Sequence, residues 1–198
     1  MITKEQLINE VNSAKDEQSV TELVRKHLLH GLPFVFENRE NDYFEFRNII
    51  AKHFGIGFHE VFIVGSSKLG YSYHKDSQFS TNSDIDVVIV CEALFEKFYS
   101  QICEFQYSID KSLITMNGFE KERYNTFLRY FAKGWLRPDK IPERFMLKSL
   151  KTDWFEFFKS VSYGKSSVGD YKVSGGLFKS YNYLEKYYTT SFMSIKHQ

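Results

Sequence analysis

The octapeptide Ser-Asp-Ile-Asp-Val-Val-Ile-Val at positions 83–90 constrains this chain more than any other stretch. Five of its last six residues are β-branched and apolar, the pattern of a strand covered on both faces. Side chains alternate across a strand, so Asp84 and Asp86 project from the same face at its start. Like charges held that close repel each other. The pair makes sense as a receptor for a divalent cation, which cancels the repulsion. Mg²⁺ prefers hard oxygen ligands, commonly one or two carboxylates, and completes its shell with water and substrate phosphate.

A phosphate-binding element is therefore expected nearby, and the preceding apolar run supplies one. Glu-Val-Phe-Ile-Val at 60–64 reads as a strand and leads directly into Gly65-Ser66-Ser67. Glycine at a strand end lets the backbone approach a ligand closely. A helix opening after it would turn free N–H groups toward the same anion, and Ser66 adds a hydroxyl donor. Strand, Gly-Ser turn, connection, and a strand opening with Asp-x-Asp together describe a site for a nucleoside triphosphate and its metal.

The stretch from Val64 to Val90 resembles the signature of the DNA polymerase β-like nucleotidyltransferase superfamily. The matching positions are Gly65, Ser66, Asp84 and Asp86, with Val64, Ile85 and Val87 at the apolar places. The resemblance implies that Gly65 and Ser66 contact the triphosphate and that Asp84 and Asp86 bind two Mg²⁺ (or Mn²⁺) ions. It implies a hydroxyl attacking the α-phosphate of an NTP and releasing pyrophosphate. In that superfamily a third carboxylate on a neighbouring strand completes the metal site. Two features depart from the pattern. The spacer at 67–83 is long, 17 residues, and carries Lys68, Tyr71, Tyr73, His74 and Lys75, as a lid or as a surface loop. The later strand, Tyr-Lys-Val-Ser at 171–174, contains no acid; Asp170 just before it is the nearest candidate, with Asp110 and Asp153 weaker. A site lacking the third acid would suit the alternative: a catalytically silent binding or interaction module, antitoxin-like or part of a defence system.

The expected fold class is α/β (α+β), a small mixed sheet with N- and C-terminal helices packed around it. Apolar spacing places helices at 3–15 and 17–29, and another from Tyr43 to a stop at Gly55. A helix bearing Leu94, Phe98 and Ile102 follows the Asp-x-Asp strand. Tyr124, Phe127, Leu128, Phe131 and Trp135 form a helical stripe closing before Pro138, and a further helix begins near Pro142. The last helix carries Tyr181, Leu184, Tyr188 and Phe192. At 198 residues the chain is expected to be a single nucleotidyltransferase-like domain. Within it lie an N-terminal helical segment (1–42), a core (43–178) with a helical insert at about 119–161, and a C-terminal helix (179–198).

The remaining features exclude more than they assign. A formal net charge of +1 provides no global field for nucleic acid or membrane. No apolar run approaches the ~18 residues of a membrane span, and the polar start Met-Ile-Thr-Lys-Glu is not a signal peptide. Cys91 and Cys103 read as lying on one helix; 12 positions apart, they would be separated by about 18 Å, too far for a disulfide. Free thiols fit a cytoplasmic location. Gly-Lys-Ser-Ser at 164–167 lacks the glycine that a P-loop needs at 159, which is Lys. Lys165 and Lys172 would reach a phosphate only if that segment folds beside the Gly-Ser turn. His27 and His30 have no third ligand at metal spacing and read as structural or surface residues. The acceptor is open: nucleic acid, protein or a small hydroxylated molecule.

Overall fold

The computed structural model of the chain describes residues 2–141 and 148–196. It is a mixed α+β fold around a four-stranded sheet. The strands are β1 (Val61–Val64), β4 (Ile85–Val90), β5 (Trp135–Leu136) and β6 (Val173–Phe178), in the order β1-β4-β6-β5. β4 runs antiparallel to β1 and parallel to β6, and β5 is antiparallel to β6. Two further short strands, β2 (Tyr71–Ser72) and β3 (Ser77–Gln78), form a separate hairpin.

The alternation along β4 divides the core in two. Ile85, Val87 and Ile89 share one face with Val61, Ile63, Val173 and Leu177. That face is covered by α3 (Glu40–Phe54), α5 (Glu92–Asp110) and α7 (Lys148–Ser160), through Phe46, Ile50, Phe98, Trp154, Phe157 and Phe158. Asp86, Val88 and Val90 share the other face with Val64 and Phe178. It is covered by α1 (Lys4–Ser13), α2 (Glu17–Leu23) and α8 (Tyr181–Met193), through Leu7, Val20, Leu184 and Phe192. The strand buried on both sides is the one whose sequence is a near-continuous β-branched run.

Local rules account for the helix ends. Thr3 and Asn117 form capping boxes for α1 and for α6 (Gly118–Phe131), and Asp16 caps α2. Gly55, in the left-handed region at φ 63°, ends α3. The helix expected at 17–29 changes character midway: α2 passes into a π-helical stretch, Val24–Leu29, closed by His30 N–H donating to Arg25 O.

Three expectations need correction. The helical stripe ends at Phe131, and Trp135 is the first residue of β5. Gly134, at φ 71°, turns the chain there, and an added Cβ would lie 2.6 Å from the Tyr183 ring. The later strand extends past Ser174 through Gly175 and Gly176 to Phe178. Helix α3 begins at Glu40, three residues before the expected start at Tyr43. The expected helix start near Pro142 lies outside the described residues. Among the described residues no helix is long and apolar enough to cross a membrane, and both cysteines are free, Cys91 capping α5 and Cys103 lying within it.

Beyond β5, the outer edge of β6 is closed by side chains instead of a strand. Ser162 Oγ accepts the Val173 N–H at 2.9 Å, and Trp154 Nε1 donates to Gly175 O at 3.3 Å. Gly175 is required here, because a Cβ would lie 2.2 Å from the Phe158 ring. Edge groups are thereby paired and a template for strand addition is blunted.

Candidate active site

Register brings the expected residues together. Val64 pairs with Asp86 across the β1/β4 ladder, so the Gly-Ser turn leaves β1 beside the carboxylates that open β4. Gly65 has φ 68° and ψ −149°, a conformation open essentially to glycine alone. A Cβ at Gly65 would sit 2.9 Å from Asp86 Oδ2, so turn and carboxylate are in van der Waals contact range. Ser66 opens the one-turn helix α4 (Ser66–Leu69), whose second residue, Ser67, is buried and donates to Val64 O at 2.9 Å. Gly65, Ser66, Asp84 and Asp86 all line one cleft of about 1180 Å³.

The parallel ladder to β6 supplies the third wall. Ser174 pairs with Asp86, and its hydroxyl donates to Asp86 Oδ1 at 3.2 Å. Lys172, one step before the strand, donates from Nζ to Asp84 Oδ2 at 2.9 Å. Each aspartate thus meets one β6 residue directly beside it. Asp86 is exposed by surface area, yet it lies deep between cleft walls. Loss of bulk water raises its pKa above the ordinary aspartate value; the Ser174 hydrogen bond opposes this, the Asp84 charge adds to it, and Arg137 and Lys172 oppose it. The Asp84 carboxylate raises the pKa of Lys172.

Among the described residues, none of the three candidates for a third carboxylate joins Asp84 and Asp86. Asp170 is exposed and does not line the cleft. Asp110 accepts from Gln106 at 2.8 Å, and Asp153 lies 3.2 Å from His53 Nε2, both occupied elsewhere. Among the described residues no group of three or more His, Cys, Asp or Glu is arranged to hold a metal. Asp84 and Asp86 are a fitting donor pair for one Mg²⁺, with the rest of its shell left to water and phosphate.

The long spacer is partly ordered as a hairpin at the edge of the cleft. Its strands β2 and β3 form a hairpin packed on α8: Tyr73 Oη and His74 Nε2 lie 3.2 and 2.8 Å from Ser191 Oγ. His74 and Lys75 line the cleft. Tyr71 and Tyr73 are buried. Lys68 points away, buried, with its ammonium donating to the carbonyls of His30 and of Gly31, the latter at 2.7 Å; burial lowers its pKa to about 8.

Of the two lysines in the glycine-containing segment, Lys172 is at the site and Lys165 is a solvated surface residue. His27 is structural, 2.8 Å from Glu10 Oε2. Sequence reasoning missed Arg137 and Asp139, which also line the cleft. Arg137 donates to both Asp139 oxygens at 3.1 and 2.9 Å and stacks over the rings of Trp135 and Tyr130, each 5.2 Å away. The available signal was Gly134, which breaks the helical stripe and makes Trp135-Leu136 a strand that aims Arg137 at the cleft.

Compared with protein-family models, curated proteins and solved structures, the chain matches no family model, no curated protein and no solved structure.

Proposed function

We propose that this protein binds a nucleoside triphosphate with Mg²⁺ (or Mn²⁺) and transfers its nucleoside monophosphate to a hydroxyl acceptor, in a cytoplasmic setting. The single observation that carries the proposal is the close approach of Asp86 to Gly65, which leaves no room for a Cβ there and sets a glycine-serine turn and a carboxylate pair in one cleft. Asp84 and Asp86 would hold the ion, which supplies charge neutralisation and orients phosphate oxygens. Gly65 and Ser66 would seat the β- and γ-phosphates. Arg137, Lys172 and Lys75 line the same cleft and supply positive charge to the triphosphate. In such a site the protein contributes positioning and electrostatic stabilisation.

Incubation with each α-³²P-NTP and Mg²⁺ tests this. Wild type is expected to release pyrophosphate and label an acceptor, and the Asp84→Ala/Asp86→Ala double variant to do neither. Equal labelling by both proteins would contradict the proposal.

A second reading, a silent nucleotide-binding or interaction module, draws on one observation: Lys172 and Ser174 stand where the superfamily pattern asks for a third acid. It predicts nucleotide binding that depends on Asp84 and Asp86 without pyrophosphate release.

A further inference from the structure

Lys172 and Ser174 repeat on β6 the spacing that Asp84 and Asp86 have on β4. Parallel pairing sets Asp86 beside Ser174 and Ile85 beside Val173, which brings the residue before each strand, Asp84 and Lys172, side by side as well. Neighbouring strands are about 4.8 Å apart, and the 2.9 Å contact between Lys172 Nζ and Asp84 Oδ2 closes that gap. The strand beside the carboxylates therefore presents an ammonium and a hydroxyl. An ammonium has no lone pair to ligate a metal and repels one. A serine hydroxyl is a neutral oxygen ligand, and here it already donates to Asp86 Oδ1. The further carboxylate in the cleft, Asp139, is held bidentately by Arg137.

Resting on the reading of Asp84 and Asp86 as a divalent-ion site for an NTP, we infer that the site takes one divalent ion per bound nucleotide, with the Lys172 ammonium standing in for the charge of a second. Charge count supports this. Two ionised carboxylates carry −2. One divalent ion cancels them, and Lys172 leaves the site with a net positive charge facing the triphosphate. A second ion would have to settle beside the ammonium, while the further described carboxylate of the cleft, Asp139, is already held by Arg137. Lys172 is thus a positioning cation for phosphate, and its ion pair with Asp84 keeps it in place before the nucleotide arrives.

The test counts ions instead of turnover. Mn²⁺ bound to the full chain with a non-hydrolysable NTP analogue is measured by electron paramagnetic resonance. Wild type is expected to hold one ion per nucleotide complex, and Ser174→Asp, which supplies the missing acid, to hold two. Lys172→Gln is expected to keep one ion while weakening Mn²⁺–nucleotide binding by about ten-fold or more, the scale of a lost charge-assisted hydrogen bond. Two ions in wild type would overturn the inference, as would a single ion in a folded Ser174→Asp. If Ser174→Asp unfolds, an unchanged Kd for Lys172→Gln overturns it instead. Neither ion nor nucleotide bound to wild type would remove the proposed function itself, and this inference with it.

Discussion

The two faces of β4 are built from the same kind of residue and end differently. On one face, Ile85, Val87 and Ile89 meet a closed aromatic wall in which Phe54, Trp154, Phe157 and Phe158 pack against one another at ring separations of 5.0–6.0 Å. On the other, Val90 packs under α8, while Val88 and Asp86 line a cleft. β6 shows the same division: Gly175 gives its space to Phe158 on the closed face, while Ser174 presents a hydroxyl on the open one. Substitutions on the aromatic face, whose residues are largely buried though Phe158 and Gly175 border the cleft, should therefore be read first in stability, and those at Asp86 and Ser174 first in ligand binding.

The largest expected effect is on the open face. Asp84→Ala or Asp86→Ala should lower nucleotidyl transfer by more than about a hundred-fold, with the protein still folded by circular dichroism. Stability should not fall with Asp86, because an ionised carboxylate between cleft walls is disfavoured in the folded state. The folded protein binds that proton more tightly than the unfolded chain does. Asp86 thus contributes stability at low pH that is lost as pH rises from the unfolded value through the raised folded one. Asp86→Asn should flatten this acid-limb slope in urea titrations; an unchanged slope would place the carboxylate in ordinary water.

Next comes the closed face. Gly175→Ala drives a Cβ to 2.2 Å from the Phe158 ring and should cost about 1–3 kcal/mol, the usual range for overpacking. Nucleotide affinity should change far less than stability. If affinity fell in step with stability, the two faces would not be separable.

Gly65→Ala sharpens the boundary between the faces, since it touches both quantities. The positive φ alone should cost about 1–3 kcal/mol, and the new methyl at 2.9 Å from Asp86 Oδ2 displaces the carboxylate. Weakened Mn²⁺–nucleotide binding at a temperature where the variant remains folded would separate the second effect from the first.

The smallest effect concerns Lys68, buried on the far side of α4 from the cleft. Its pKa falls from 10.5 to about 8 through burial, so between those values the unfolded chain binds more protons and stability rises with pH. The slope between pH 8 and 9.5 should be reduced in Lys68→Met, whose baseline stability also falls because the His30 and Gly31 carbonyls lose their donor.

The match between sequence and structure is uneven for identifiable reasons. Helices α1, α5 and α8 and strands β1 and β4 are legible because their apolar patterning is strong, and the end of β1 is marked by Gly65. Strand β5 is illegible because Trp135 happens to continue the helical spacing of α6, and a two-residue strand has no period of its own. The hairpin at 71–78 reads as a loop because its stability comes from packing on Ser191, 117 residues further along the chain for His74.

By itself the amino-acid order determines that a carboxylate pair leaves a doubly buried strand and that a glycine-serine turn leaves another, because alternation and glycine's freedom are local properties of the backbone. Only the tertiary structure decides that these ends lie together, that Lys172 and Ser174 stand beside the two aspartates, and that Arg137 reaches the same cleft. Those outcomes depend on strand order and register, which arise from long-range pairing across some 90 residues of intervening chain and leave no periodic trace in the sequence.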